Sequence, residues 1–193
     1  MLFNSFKKHT YYQSTMTEYS YELKIPKERV AVLIGKSGET KKQLEAETKT
    51  KIKVDSDEGD VFVSGEDAIS LFSVREIIKA IGRGFNPELA FLLLQQDYVF
   101  EVIDLRDYAP TKKHFLRLKG RVIGSEGKSR RIIEELTEAY ISVYGKTISL
   151  IGQAENIGLA RKAVEGLLEG SPHSNIYKWL EGRRKEMKRS ELM

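Results

Sequence analysis

A repeat constrains this chain more than any other feature. Residues 34–54, IGKSGETKKQLEAETKTKIKV, align without a gap on residues 123–143, IGSEGKSRRIIEELTEAYISV, at a constant offset of 89. Seven of the 21 positions are identical: Ile34, Gly35, Gly38, Glu45, Thr48, Ile52 and Val54 meet Ile123, Gly124, Gly127, Glu134, Thr137, Ile141 and Val143. Leu44 meets Ile133, a similar apolar residue. One unit of about eighty to ninety residues therefore occurs twice, and that unit is the domain.

Local patterning gives the element order. In the first copy, residues 21–25 alternate as a strand and stop at Pro26. A short helix over 29–34 ends at a glycine loop, and a second covers 39–48. Strands at 51–55 and 61–63 enclose the polar turn 56–60. Beyond Glu66, Ile69, Phe72, Ile77 and Ile81 recur at helical spacing. The second copy has a strand at 99–104, a helix ending near Val122 and Ile123, a helix over 128–138, strands at 140–144 and 147–151, and a helix over 156–169. Asn86-Pro87 reads as an N-cap with proline at the first helical position, opening an apolar helix over 88–96. The expected fold class is α+β, with the order β-α-α-β-β-α twice. The expected divisions are a flexible segment 1–17, a first unit 18–85, a linker helix 86–97, a second unit 98–170 and a basic helical tail 171–193.

Composition narrows the function. There are no cysteines, which excludes disulfides and thiolate chemistry. His9, His114 and His173 show no metal-like spacing. The apolar run at 89–94 is far too short for a membrane span, and Lys7 and Lys8 precede no signal-like stretch. The chain is read as soluble and cytoplasmic, with no membrane partner and no small-molecule substrate. The net charge of +4 is unevenly placed: residues 1–96 hold 14 Lys+Arg against 14 Asp+Glu, residues 97–193 hold 18 against 14. Lys112, Lys113, Arg117, Lys119, Arg121, Lys128, Arg130 and Arg131 face one acid, Glu126, within residues 112–131. Such a cluster attracts polyanions.

The two glycines of each loop leave the backbone without Cβ atoms, so a phosphodiester can approach closely. The helix that follows aims its free N–H groups and positive dipole end at that phosphate. With this loop between two helices, twice, and strand, loop, strand and helix behind it, the chain resembles the KH family of RNA-binding domains, type I. The resemblance runs from Tyr19 to Gly170 and implies single-stranded RNA as partner, with four nucleotides clamped at the loop. It implies contacts from Gly35, Lys36, Ser37, Gly38, Lys41 and Lys42 in the first copy. In the second it implies Arg121, Ile123, Gly124, Ser125, Glu126, Gly127, Lys128, Arg130, Arg131 and Ile141. The groove floor would be Val32, Leu33, Ile34, Leu44, Ile52 and Val54, and Val122, Ile123, Ile133, Ile141 and Val143. Two departures stand out: Lys41 and Arg130 replace an apolar residue frequent in the family, and Glu126 puts an acid in the second loop. The second copy, with its cations, is expected to dominate affinity.

A closer resemblance rests on Gly82-Arg83-Gly84-Phe85-Asn86-Pro87, on 102–108 (VIDLRDY), and on 119–124 (KGRVIG) running into 130–136 (RRIIEEL). These stretches look like the archaeal and eukaryotic small-subunit assembly factors that partner the Nob endonuclease. That implies binding near the 3′ end of small-subunit rRNA during ribosome biogenesis, and assistance to processing by a partner nuclease. No cofactor, metal or catalytic residue is expected. Two rival readings have a basis in the residues. Asp55, Asp57, Glu58 and Asp60 could hold a divalent ion for a nuclease, although no base or nucleophile accompanies them. KH folds also serve as protein-interaction scaffolds. The tail 171–193 carries six Lys+Arg against three acids, and Tyr177, Trp179 and Leu180 predict a short amphipathic helix, docked or serving as an RNA or protein arm.

Overall fold

The computed structural model describes residues 19–109 and 111–191, so the expected flexible segment 1–17 lies outside the described residues. The first unit is β1 (Tyr19–Lys24), α1 (Lys27–Ile34), α2 (Glu39–Thr48), β2 (Lys51–Val54), β3 (Asp60–Gly65) and α3 (Ala68–Gly82). After a short α4 (Pro87–Ala90), the order recurs as β4 (Tyr98–Asp104), α5 (Lys112–Ile123), α6 (Lys128–Thr137), β5 (Tyr140–Tyr144), β6 (Thr147–Gln153) and α7 (Ala154–Leu168). A last helix, α8, runs from His173 to Glu191. The expected α+β fold with two β-α-α-β-β-α units is what the chain adopts.

Each unit has a three-stranded antiparallel sheet with its last strand in the middle, β1-β3-β2 and β4-β6-β5. Alternation decides which face meets the helices. Tyr21 and Leu23 of β1 sit opposite Val63 and Val61, and Ile52 and Val54 of β2 sit opposite the same pair. All join one core with Leu33, Leu44, Leu71, Val74, Ile77 and Ile78. In the second unit Ile103, Ile141, Ile148 and Leu150 meet Val122, Ile133, Ala160 and Val164.

The residues identical between the copies do identical structural work. Glu45 Oε1 accepts the Ile52 N–H at 2.7 Å, and Glu134 Oε1 accepts the Ile141 N–H at 2.8 Å. Each carboxylate thereby ties the helix after the glycine loop to the start of the next strand. Thr48 and Thr137 donate their hydroxyls to the carbonyls of Leu44 and Ile133, four residues back, at 2.6 and 2.7 Å. Lys49 and Glu138 then take left-handed φ values of 53° and 55° and end the helices.

The units are welded together. The outer face of the second sheet carries Tyr98, Phe100 and Ile151, which pack into the first unit's core; Ile151 is fully buried there. Phe85 and Phe100 meet edge to face at 6.4 Å. Ser142 Oγ donates to the Arg83 carbonyl at 2.8 Å, and the Tyr144 hydroxyl donates to Glu28. Gly84, at φ 101°, allows this approach: a Cβ there would stand 2.6 Å from Ser142 Oγ. Residues 147–152 of β6 are therefore buried on both faces, whereas the outer face of the first sheet is open, with Phe62 47% exposed.

Two elements differ from expectation. The linker is one turn, α4, capped by the Asn86 side chain accepting the Leu89 N–H at 3.0 Å, then a 3-10 turn over Phe91–Leu94, rather than a helix over 88–96. Leu93 must reach the interior while the chain turns into β4, and a continuous helix would not deliver both. The tail helix is 19 residues long, not short, and buries Ile176 and Leu180 against the second core.

Candidate nucleic-acid interface

The two glycine loops have one backbone conformation. Gly35 and Gly124 have φ/ψ of 75°/174° and 74°/176°; Ser37 and Glu126 lie at 54°/22° and 51°/29°; Gly38 and Gly127 lie at 80°/13° and 76°/10°. The two glycines of each loop serve different ends. A Cβ on Gly35 would meet Thr40 Oγ1 at 2.2 Å, and one on Gly124 would meet Ser129 N and Cβ at 2.6 Å, so the first glycine lets the next helix close in. At Gly38 and Gly127 the nearest atoms are the flexible ends of Lys42 and Arg131, at 3.7 and 4.0 Å, so that side is open to a ligand. Ser37 and Glu126 hold a conformation that costs an L-residue roughly 1–2 kcal/mol, in the same place twice.

Lys36, Ser37 and Lys42 are exposed around the first loop; Ser125, Glu126, Lys128 and Arg131 are exposed around the second. The N-terminal ends of α2 and α6 sit directly behind the loops, as an anion site requires. Arg131 Nη2 donates to the Glu126 carbonyl at 2.7 Å, bracing the second loop from its own helix.

Lys41 and Arg130, at the departing position, are half-buried and lean on the repeated carboxylates. Lys41 Nζ is 3.8 Å from Glu45, and Arg130 Nε is 3.7 Å from Glu134. Burial pushes the Glu134 carboxyl above the ordinary carboxylate range, although the Ile141 N–H and the Arg130 charge pull it down. The cations at this position therefore cover a partly buried carboxylate.

The structure gathers most of the expected residues at the loops but places two elsewhere. Arg121 sends Nε to the Leu167 carbonyl at 2.9 Å and Nη2 to the Ser171 carbonyl at 2.6 Å, holding the end of α7. Ile141 is 3% exposed, so its side chain is floor beneath the groove rather than surface in it, whereas Ile34 and Ile123 are partly exposed beside the loops. Gly120, Ser129 and His173, assigned no binding role from the sequence, line an opening at the second loop together with Arg117, Arg121, Gly124, Ser125, Lys128 and Tyr177. The spacing of residues 117, 120, 121 and 124 along one helix stripe was the available signal.

The acidic loop of the first unit is spent locally. Asp55 Oδ1 accepts the N–H groups of Asp57 and Glu58 at 2.9 and 3.1 Å. Asp60 pairs with Lys24 at 3.0 Å, and Glu58 with Lys27 at 3.8 Å. Among the described residues no group of three or more His, Asp or Glu is placed to hold a metal ion, and no helix is long and apolar enough to cross a membrane.

Comparison with known proteins agrees with this geometry. A family model described as KH domain matches residues 20–83, and one described as eukaryotic type KH-domain (KH-domain type I) matches residues 99–185. KH domain-containing protein MJ0443 of Methanocaldococcus jannaschii is 51% identical over 174 residues, 88% of this chain and 76% of that protein. RNA-binding protein PNO1 of Oryzias latipes is 35% identical over 114 residues, 58% of this chain; the match spans 47% of the longer fish protein. A chain of the crystallised a/eIF2alpha–aDim2p–rRNA complex of Pyrococcus horikoshii OT3 has a TM-score of 0.82 at 46% identity, covering 88% of this chain and 96% of that one.

Proposed function

The chain belongs to the family of two-KH-domain proteins that includes KH domain-containing protein MJ0443, and from that membership and its loops we propose that it binds single-stranded RNA without catalysing a reaction on it. One observation carries the reading: both loops hold the same ligand-open backbone in front of a helix N-terminus. The units are taken as residues 18–85 and 98–170, with contacts from Gly35, Lys36, Ser37, Gly38 and Lys42 and from Ile123, Gly124, Ser125, Gly127, Lys128 and Arg131. The second unit carries most of the affinity, because Lys128 and Arg131 flank its loop.

The finer reading follows the Pyrococcus relative, crystallised in a complex with rRNA and a/eIF2alpha, and the PNO1 relatives named as RNA-binding proteins. The RNA is small-subunit rRNA near its 3′ end, bound in the cytoplasm during ribosome biogenesis and presented to a partner endonuclease. The test is a binding titration with single-stranded RNA and with duplex of the same sequence. A KH groove reads unstacked bases, which a duplex hides, so the single strand binds more tightly.

A further inference from the structure

Two openings between α3 and β4, of about 960 and 660 Å³, meet at Phe100. Neither is lined by a residue of the glycine loops or of the groove floors. The first is mostly apolar, with Ile69, Phe72, Leu94 and Val99 among its walls. The second sets Leu23, Phe100 and Val102 beside three cations, Lys24, Lys79 and Arg83. Residues 69, 72, 76, 79 and 83 recur at helical spacing, so one stripe of α3 faces both openings.

The wall opposite that stripe is a sheet edge. β4 pairs with β6 alone, and among the described residues no backbone hydrogen bond reaches residues 99–103 from outside that ladder. Every second residue there points its N–H and C=O outward with no protein partner. A charge on an edge strand deters the pairing of another strand. Glu101, the charged residue of that stretch, is already bound by Arg161 at 2.8 Å, and Val102 beside it is 38% exposed.

The other copy shows that packing does not require this surface. α3 and α7 are both 15 residues long, and buried Leu71, Val74, Ile78 and Ile81 match buried Ile157, Ala160, Val164 and Leu167. In the same register Ile69, Phe72, Lys79 and Arg83 match Glu155, Gly158, Glu165 and Glu169. The first unit thus carries two exposed apolar side chains and two cations where the second has three acids and a glycine. Ile69 and Phe72 are 77% and 51% exposed. The cations of the second opening are under-answered: Lys79 shares Glu76 with Arg75, Asp104 is held by Arg106, and Arg83 forms no ion pair among the described residues.

We propose that this groove takes an extended segment of a protein partner, added as a strand along β4, with apolar side chains beside Ile69 and Phe72 and a carboxylate at Arg83. The edge supplies backbone hydrogen bonds, and the openings on either side of Phe100 receive alternate side chains. A nucleic-acid strand fits less well, because its phosphates would meet cations at one end and Glu47 and Glu76 at the other. The site does not rest on the RNA reading, and it leaves both glycine loops free.

The test is a displayed library of random decapeptides screened on the full chain, with the best binder then synthesised. Enriched sequences carry alternating apolar residues next to an aspartate or glutamate. Ile69→Gln with Phe72→Gln, and Arg83→Glu separately, each weaken the synthetic peptide about tenfold, while affinity for single-stranded RNA stays at the wild-type value. Replacing the peptide's acid by lysine restores binding to Arg83→Glu. Bound peptide also slows amide exchange at alternate residues of β4. No enrichment, a peptide indifferent to both variants, or unchanged exchange in β4 would overturn the proposal. Weaker binding of single-stranded RNA by Arg83→Glu would make the groove an RNA surface instead. A wild-type dimer in sedimentation that Ile69→Gln with Phe72→Gln dissociates would make it a contact between two copies. Either result rejects the partner strand.

Discussion

Glu134 shows how much of this protein is set by single side chains. Its carboxylate accepts the Ile141 N–H, carries Arg130 at its edge and is held above its ordinary pKa by burial. A carboxyl whose pKa is higher folded than unfolded holds its proton more tightly in the folded state. Its contribution to stability is therefore greatest below the unfolded value and declines as pH rises through the folded one. Glu134→Gln keeps an acceptor for the N–H without the buried charge, so its stability relative to wild type grows from pH 4 to pH 7 in urea melts. Glu134→Ala orphans the Ile141 N–H and costs about 1–3 kcal/mol. Gln proving as harmful as Ala would show that the charge, through Arg130, is what α6 needs. The repeat singles out Glu45 and Glu134 by their identity at matching positions, but it does not reveal their job. A helix-to-strand hydrogen bond across seven residues has no local pattern.

At the scale of elements, the glycine loops and the strands and helices around them follow from the sequence because each has a short-range signal. Alternation gives β1, glycine pairs end α1 and α5, and helical spacing gives α3. The linker and tail are less legible. Their lengths are set by where Leu93, Ile176 and Leu180 must be buried, which is tertiary information. The loops themselves yield a ranking. Ser125→Asp with Glu126→Asp adds one negative charge; Lys36→Asp with Ser37→Asp changes the first loop by three. Aspartate tolerates the left-handed position in either loop, so both variants keep the fold. If the second unit carries the affinity, the smaller charge change there causes the larger loss of RNA binding in a side-by-side titration. The reverse order would assign the affinity to the first unit.

Across the whole molecule, the least legible feature is the join between the units. Residues 147–151 alternate as an ordinary half-buried strand, with Ile148 and Leu150 toward the helices and Thr147 and Ser149 on the outer face, so the pattern does not announce that the outer face is covered as well. Tyr98, Phe100 and Ile151 give the second sheet's outer face to the first unit's core, so neither unit is complete alone. The two units accordingly unfold in one transition by calorimetry. Ile151→Ala, made in the second unit, costs about 2–5 kcal/mol and loosens the first unit's helices as well, read as faster amide exchange in α3. Two separate transitions in the wild type would show that the interface adds little.

The central claim is that unpaired bases are read in a groove whose phosphates are held at the second glycine loop. It is tested most directly by a salt titration of the wild type on a single strand matching the 3′ end of small-subunit rRNA and on its duplex. The single strand binds more tightly throughout, and its advantage persists as salt rises, because phosphate contacts are screened while base contacts in the apolar groove are not. Equal affinity for the two forms, falling together with salt, would contradict it and leave only a basic surface attracting any polyanion.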